Sequence, residues 1–190
     1  MPGRETAVWL AGLGWVAAVA AGFWAWERYE TTAGSVGPAP AAADEANPAC
    51  WRLTVFAHPQ CPCTRATLDE LAEVLGETPT LAGRVVFVRP PDTPPGWERG
   101  ASWDAAGRIP GVEVACDPGG TLARRYGAET SGQAVLTDPT GAVVFRGGLT
   151  RARGRAGDSP GGRAVREWVA GRVGPAAAPV FGYALLTPTE

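Results

Sequence analysis

The sequence predicts an α/β fold, a mixed sheet flanked by helices, with one N-terminal transmembrane helix ahead of it. Three observations carry that reading. Ala7 to Trp26 is an uncharged apolar run of about 20 residues, which as a helix matches the thickness of a bilayer core. From Trp51 to Tyr126, short β-branched segments alternate with helical patterns. A hairpin and one more helix then close the pattern, which is the order of a mixed sheet covered on both faces.

Composition bounds the rest. Gly 26 and Pro 18 in 190 residues interrupt any long helix outside the apolar run. Apolar residues at 45% and charged residues at 19% suffice for one core and exclude a wholly disordered chain. The net charge of -2 gives no field for nucleic acid, so that partner is excluded. All 17 basic residues are Arg, and the single His, His58, rules out two-histidine catalysis and His-cluster metal sites.

The apolar run is preceded by Arg4 and followed by Glu27-Arg28-Tyr29-Glu30, with Trp9, Trp24, Trp26 and Tyr29 near its ends, where amphipathic rings favour the membrane interface. It is longer than a signal-peptide core, and no small-x-small site comes directly after it, so it reads as an uncleaved anchor occupying 1–30. The charge bias places the remainder of the chain on the extracytoplasmic side of a bacterial inner membrane, in an oxidising periplasmic compartment. Residues 31–49, rich in Ala, Pro and Gly, read as a spacer able to span up to about 60 Å when extended.

The folded domain is expected over 50–174. Trp51 to Ala57 reads as a buried strand between Pro48 and Pro59. Leu68, Leu71, Ala72 and Leu75 mark a helix from Thr64, with Thr67 and Glu70 at capping-box spacing and Gly76 as its end. Arg84 to Arg89 is a second strand, followed by a Pro-rich loop and a short segment around Trp97 and Trp103. Val112 to Asp117 is a third strand, and Thr121 caps a helix through Tyr126. Gln133 to Thr137 pairs with Ala142 to Gly147 across Asp138-Pro139-Thr140-Gly141. Ser159-Pro160 starts a last helix whose buried stripe is Ala164, Val165, Trp168 and Val169. Residues 175–190 show no period and are expected to be a tail.

Chemistry concentrates at His58-Pro59-Gln60-Cys61-Pro62-Cys63, between a strand end and a helix start, where free backbone N–H groups and the helix dipole favour a thiolate. Cys61 and Cys63 are therefore the candidate catalytic pair. A bridge across one intervening residue is geometrically tight and is expected to be comparatively oxidising. His58, three residues ahead, is placed either to tune the thiolate or simply to close the loop as a polar side chain. Two other readings stand beside redox activity: a Cu(I)-binding or copper-delivery site built from Cys61, Cys63 and His58, and a redox-silent interaction domain with a fixed disulfide or inert thiols. The redox reading needs no cofactor; its partners are thiols and disulfides, protein or small-molecule.

From Cys50 to about Gly171 the sequence resembles the thioredoxin-like superfamily in a membrane-tethered form. Phe56 stands five positions before Cys61, as the aromatic at the end of the first thioredoxin strand does, and VEVACDPGGTLARRYGA, SGQAVLTDPTG and AVVFRGG resemble the second half of tethered thiol reductases and peroxiredoxins. The stretches ERYETTAG, FAHPQCPCTRATLDEL and FRGGLTRARGRAGDSPGG are similar to the RedB-like group. The resemblance implies that Cys61 is an exposed attacking thiol and Cys63 the resolving one. Two departures stand out: the pair is one residue shorter than Cys-x-x-Cys, and Ser131-Gly132 stand where thioredoxins carry a cis-proline.

Given this topology, the loop of Cys63, Cys116, Ser131-Gly132 and Gly147 to Thr150 should converge on one sheet edge. Cys116 is then either a third thiol near the site or a small core residue, and Cys50 lies at the opposite edge, too far for a Cys50-Cys116 bridge. Arg151, Arg153 and Arg155 fall beside the site, able to hold an anion or forming a solvated basic loop. RedB-like sequences usually carry His where Arg155 stands. The combined expectation is a rim more open and more basic than that of thioredoxin.

Overall fold

The structure, a computed structural model, describes residues 3–38 and 50–186. It forms two compact units, the first ending at Thr32. That first unit is one helix, α1 (Gly3–Thr31), 29 residues long with no buried residue. Its most apolar window has a mean hydropathy of 1.7, so the helix is long and apolar enough to cross a membrane. Glu5 in its first turn and Arg28 in its last suit the helix dipole, which extends it beyond the apolar run at both ends.

The second unit contains β1 (Trp51–Ala57), α2 (Thr64–Glu77), β2 (Leu81–Arg89), α3 (Ala101–Gly107), β3 (Val112–Pro118), α4 (Thr121–Arg125), β4 (Gln133–Thr137), β5 (Val143–Gly148) and α5 (Pro160–Val169). One five-stranded sheet has the order β3-β2-β1-β4-β5. β1, β2 and β3 are parallel, and β4 is antiparallel to both β1 and β5. The sequence expectation of a mixed sheet flanked by helices holds.

Strand β1 is central and buried on both faces, which is why it reads as continuous apolar sequence rather than as an alternation. Leu53, Val55 and Ala57 pack with Leu68, Leu71 and Val74 of α2, Phe87, Phe145 and Val165 of α5. Phe56 points the other way, onto Val86, Val88, Val135, Ala123, Tyr126 and Leu185. Full burial of each such side chain contributes about 1.5–3 kcal/mol before entropy is counted.

Helix ends depart from the sequence expectation. α2 starts with Cys63 at its N-cap, without a side-chain cap, so Thr67 lies inside the helix and the capping box does not form. Glu70 instead accepts the N–H of Gly157, in the loop before α5. Gly76 lies within the helix, whose cap is Thr78. For α4 the cap comes from Asp117, which accepts from Leu122 N at 3.0 Å and Ala123 N at 2.8 Å, rather than from Thr121. Ser159 caps α5 as expected, accepting from Gly162 N at 2.9 Å.

The spacer and the tail are more ordered than their sequences suggest. Gly34 N donates to Val180 O at 2.8 Å, Thr130 Oγ1 to Ser35 O at 2.7 Å, and Arg146 Nη2 to Gly37 O at 3.0 Å, so residues 34–37 are packed within the second unit. The rest of the expected spacer, 39–49, is outside the described residues. Near the C-terminus, Arg146 N donates to Ala176 O at 2.9 Å and Gly148 N to Pro179 O at 3.2 Å, which covers the exposed side of β5. A Cβ at Gly148 would meet Pro179 O at 2.6 Å, so only glycine permits this approach. Beyond it, Val180 and Leu185 are buried.

Candidate active site

After β1 the chain turns tightly. Cys61 N donates to His58 O at 3.1 Å, Thr64 N to Cys61 O at 3.1 Å, and Thr64 Oγ1 to His58 O at 3.2 Å. These bonds bring Cys61 one turn ahead of α2 and set Cys63 at its N-cap. Contrary to the expectation of an exposed attacking thiol, Cys61 is only 3% exposed and Cys63 6%, while the intervening Pro62 is exposed.

The two thiols are driven apart in acidity. Cys61 is pulled down to about 6, chiefly by a hydrogen bond from Cys63. Burial opposes that shift, and the backbone N–H groups of Tyr183 and Cys63 and the hydroxyl of Ser131 add to it. Cys63 is pushed far up: it holds the shared proton, is buried, and faces the negative sulfur of Cys61, against a smaller pull from Arg153 and the N–H of Gly154. The arrangement is a thiolate at Cys61 with a thiol donor at Cys63.

His58 is fully buried behind the pair. Its backbone N–H donates to Ser131 Oγ at 2.9 Å, and its Nδ1 accepts from Gln60 N at 3.2 Å, which leaves the ring proton on Nε2. The ring meets Trp97 edge-on, with centroids 5.5 Å apart. Nδ1 is thus committed to the turn. Among the described residues no three or more His, Cys, Asp or Glu side chains come together as a metal site, so Cys61, Cys63 and His58 do not form the three-donor Cu(I) centre that the copper reading requires.

Ser131 and Gly132 do stand beside the cysteines. Ser131 Oγ lies 3.4 Å from Thr64 Oγ1 as well as accepting from His58 N. Gly132 has a φ of +89°, donates its N–H to Phe56 O at 2.8 Å, and would bring a Cβ to 3.0 Å from Thr67 Oγ1. Among the described residues no peptide bond is cis. The open rim expected here is instead covered by the C-terminal segment. Ser131 N donates to Tyr183 O at 2.7 Å, Leu185 N to Glu129 O at 2.9 Å, and Thr130 and Ala184 form an antiparallel bridge.

The arginines separate. Arg153 is half-buried against Cys63 and donates to Gly182 O, whereas Arg151 and Arg155 are exposed. Cys116 is aligned with Phe87 on β2, itself aligned with Ala57 on β1, which sets it two strand spacings, about 10 Å, from the end of β1. Its thiol is pushed up by burial and then by the carboxylate of Glu98, and it belongs with Glu98 and Arg89, 3.9 Å from each other, rather than with the pair. Cys50 is at the start of β1, at the other end of the sheet, and all four cysteines are free thiols. Sequence reasoning missed Gly182 and Tyr183; a glycine flanked by Phe181 and Tyr183 is the one local sign that this stretch packs closely against something.

No family model matches the chain, and no curated protein matches it. Solved structures do. A hypothetical protein from Sinorhizobium meliloti 1021 superposes with a TM-score of 0.61 at 22% identity, over 85% of this chain and 100% of the other. An uncharacterized conserved protein from Geobacillus kaustophilus gives 0.60 at 15% identity, over 84% and 94%. A thioredoxin-like protein from Aeropyrum pernix gives 0.47 at 13% identity, over 84% and 98%. The likeness to the Sinorhizobium meliloti and Geobacillus kaustophilus structures shows a shared fold, here a mixed five-stranded sheet flanked by helices.

Proposed function

We propose that this chain is a membrane-anchored, extracytoplasmic thiol-disulfide oxidoreductase, and that Cys61 and Cys63 are its reacting pair. The observation that carries the reading is the placement of two buried, hydrogen-bonded thiols at the start of α2, where the N–H of Tyr183 and the hydroxyl of Ser131 also face Cys61 and pull its thiol down while that of Cys63 is pushed up. Cys61 attacks one sulfur of a disulfide, forming a mixed disulfide and expelling a thiolate. Cys63 then gives its proton to the thiolate expelled in the first step and attacks the Cys61 sulfur, expelling the second thiolate. The dithiol loses two electrons to the substrate disulfide and becomes the Cys61-Cys63 bridge; the reverse sequence oxidises a dithiol.

Anchoring is supported by α1, and the extracytoplasmic side by the charge bias around it and by the demand of disulfide chemistry for an oxidising compartment. Membership of the RedB-like group rests on the sequence stretches around the helix, the cysteines and the arginine loop. Ser131 and Arg153 are proposed as the groups that tune the pair, with His58 holding the turn from behind. Arg151 and Arg155 are exposed, and Cys116 lies with Glu98, so none of the three is assigned a part in tuning.

Thiol trapping and mass spectrometry across a series of thiol/disulfide buffers test the reading. Cys61 and Cys63 are expected to lose and regain label together. A pair that stays fully labelled, or fully protected, over the whole series would identify a redox-silent domain.

A further inference from the structure

Deepening the thiol-disulfide reading and resting on it, we propose that the C-terminal strap, Phe181 to Leu185, sets substrate size. It admits low-molecular-weight disulfides to Cys61 and excludes polypeptide disulfides. Both cysteines are buried, and the strap lies beside them. It runs antiparallel to residues 129–131, with Ser131 N donating to Tyr183 O at 2.7 Å and Leu185 N to Glu129 O at 2.9 Å. Gly182 sits so close that a Cβ there would fall 2.0 Å from Ser131 O. Arg153 holds the carbonyl of Gly182, and the N–H of Tyr183 is directed at the Cys61 sulfur. Buried Val180 and Leu185 pin the two ends of the strap.

A polypeptide disulfide brings main chain on both sides of its sulfur, and that main chain needs room and hydrogen-bond partners beside the attacking thiolate. At 129–131 the partners are already taken by the strap. A polypeptide would have to break those bonds and lift the side chains of Phe181 and Leu185 out of their burial. A small disulfide makes no such demand, because its sulfurs carry only short substituents. The exposed residues next to the pair are Gln60, Pro62 and Gly154, and they mark the side from which a small molecule reaches it. The small disulfide is reduced to two thiols while Cys61 and Cys63 are oxidised to their bridge.

The test uses the full chain in detergent micelles. Rates are measured with bis(2-hydroxyethyl) disulfide and with a neutral peptide of about 20 residues closed by one disulfide, each normalised to its rate with dithiothreitol. The wild type is expected to react at least 100-fold faster with the small reagent. Gly182→Ala, which forces the strap away from Ser131, is expected to lower that ratio at least 10-fold by speeding the peptide. Similar wild-type rates for both reagents, or an unchanged ratio in a folded Gly182→Ala protein, overturn the strap proposal while leaving the oxidoreductase reading intact. Exchange with neither reagent overturns both. Should Gly182→Ala fail to fold, a graded series of neutral disulfides on the wild type decides: a steep loss of rate with size supports the strap, and a flat series overturns it.

Discussion

His58 and Ser131, 73 positions apart in the chain, are joined by a 2.9 Å hydrogen bond from the backbone N–H of His58 to the hydroxyl of Ser131. The same hydroxyl helps pull down the pKa of Cys61. One side chain therefore secures the turn that carries the cysteines and stabilises the thiolate.

Ser131→Ala removes both contacts. Leaving a buried N–H without its acceptor costs about 1–3 kcal/mol, and losing the donor to sulfur moves the Cys61 midpoint upward from about 6. Thermal unfolding and the pH dependence of alkylation check the two effects separately. A lowered melting temperature with an unmoved alkylation midpoint would reduce Ser131 to a structural role.

Stability should depend on pH through the pair in a definite way. Cys61 is charged in the folded state from about pH 6, but in the unfolded chain only from about 9, so its contribution is absent below 6, grows between 6 and 9, and is complete above 9. Cys63 keeps its proton above 9 while the unfolded chain loses it, which reverses the slope. Wild type minus the Cys61→Ser, Cys63→Ser protein should show a gain peaking near pH 9, with slopes of at most about 1.4 kcal/mol per pH unit. Urea unfolding of both proteins from about pH 5 to about pH 10.5 measures it, and a flat difference would remove the thiolate from the account.

Arg153 should matter and its neighbours should not. Arg153→Gln is expected to slow exchange with an anionic disulfide such as oxidised glutathione at least 5-fold more than exchange with a neutral one, and added salt should shrink the difference. Arg151→Gln and Arg155→Gln, both on exposed side chains, should stay within about 2-fold of wild type. Equal effects of all three would restore the picture of a diffuse basic rim.

Glu70 is an unsuspected support for the same loop. It is 1% exposed on α2 and accepts the N–H of Gly157, tying the helix that starts at Cys63 to the segment after Arg153. Glu70→Ala should cost about 1–3 kcal/mol by stranding that N–H, and should increase hydrogen exchange at 153–158. A change under about 0.5 kcal/mol in urea unfolding, with unaltered exchange, would show that the loop holds itself.

The local elements and the place of the chemistry are legible in the amino-acid pattern alone. Strand β1, the hairpin turn at Asp138, the Ser159-Pro160 helix start and the Cys61-Pro62-Cys63 site are all written in nearest-neighbour patterns: apolar runs, turn residues, a cap and the spacing of two thiols. Tertiary structure alone decided what covers that site. The stretches 34–37 and 176–185 lack regular secondary structure and draw partners from Gly127, Thr130, Ser131, Arg146 and Gly148, so no period within them could announce their packing. Asp117 replaced Thr121 as a cap, and Glu70 left its capping-box position, for the same reason. A polar side chain goes to whichever buried N–H the fold brings within reach, and that distance is set by the packing of remote elements rather than by separation along the chain.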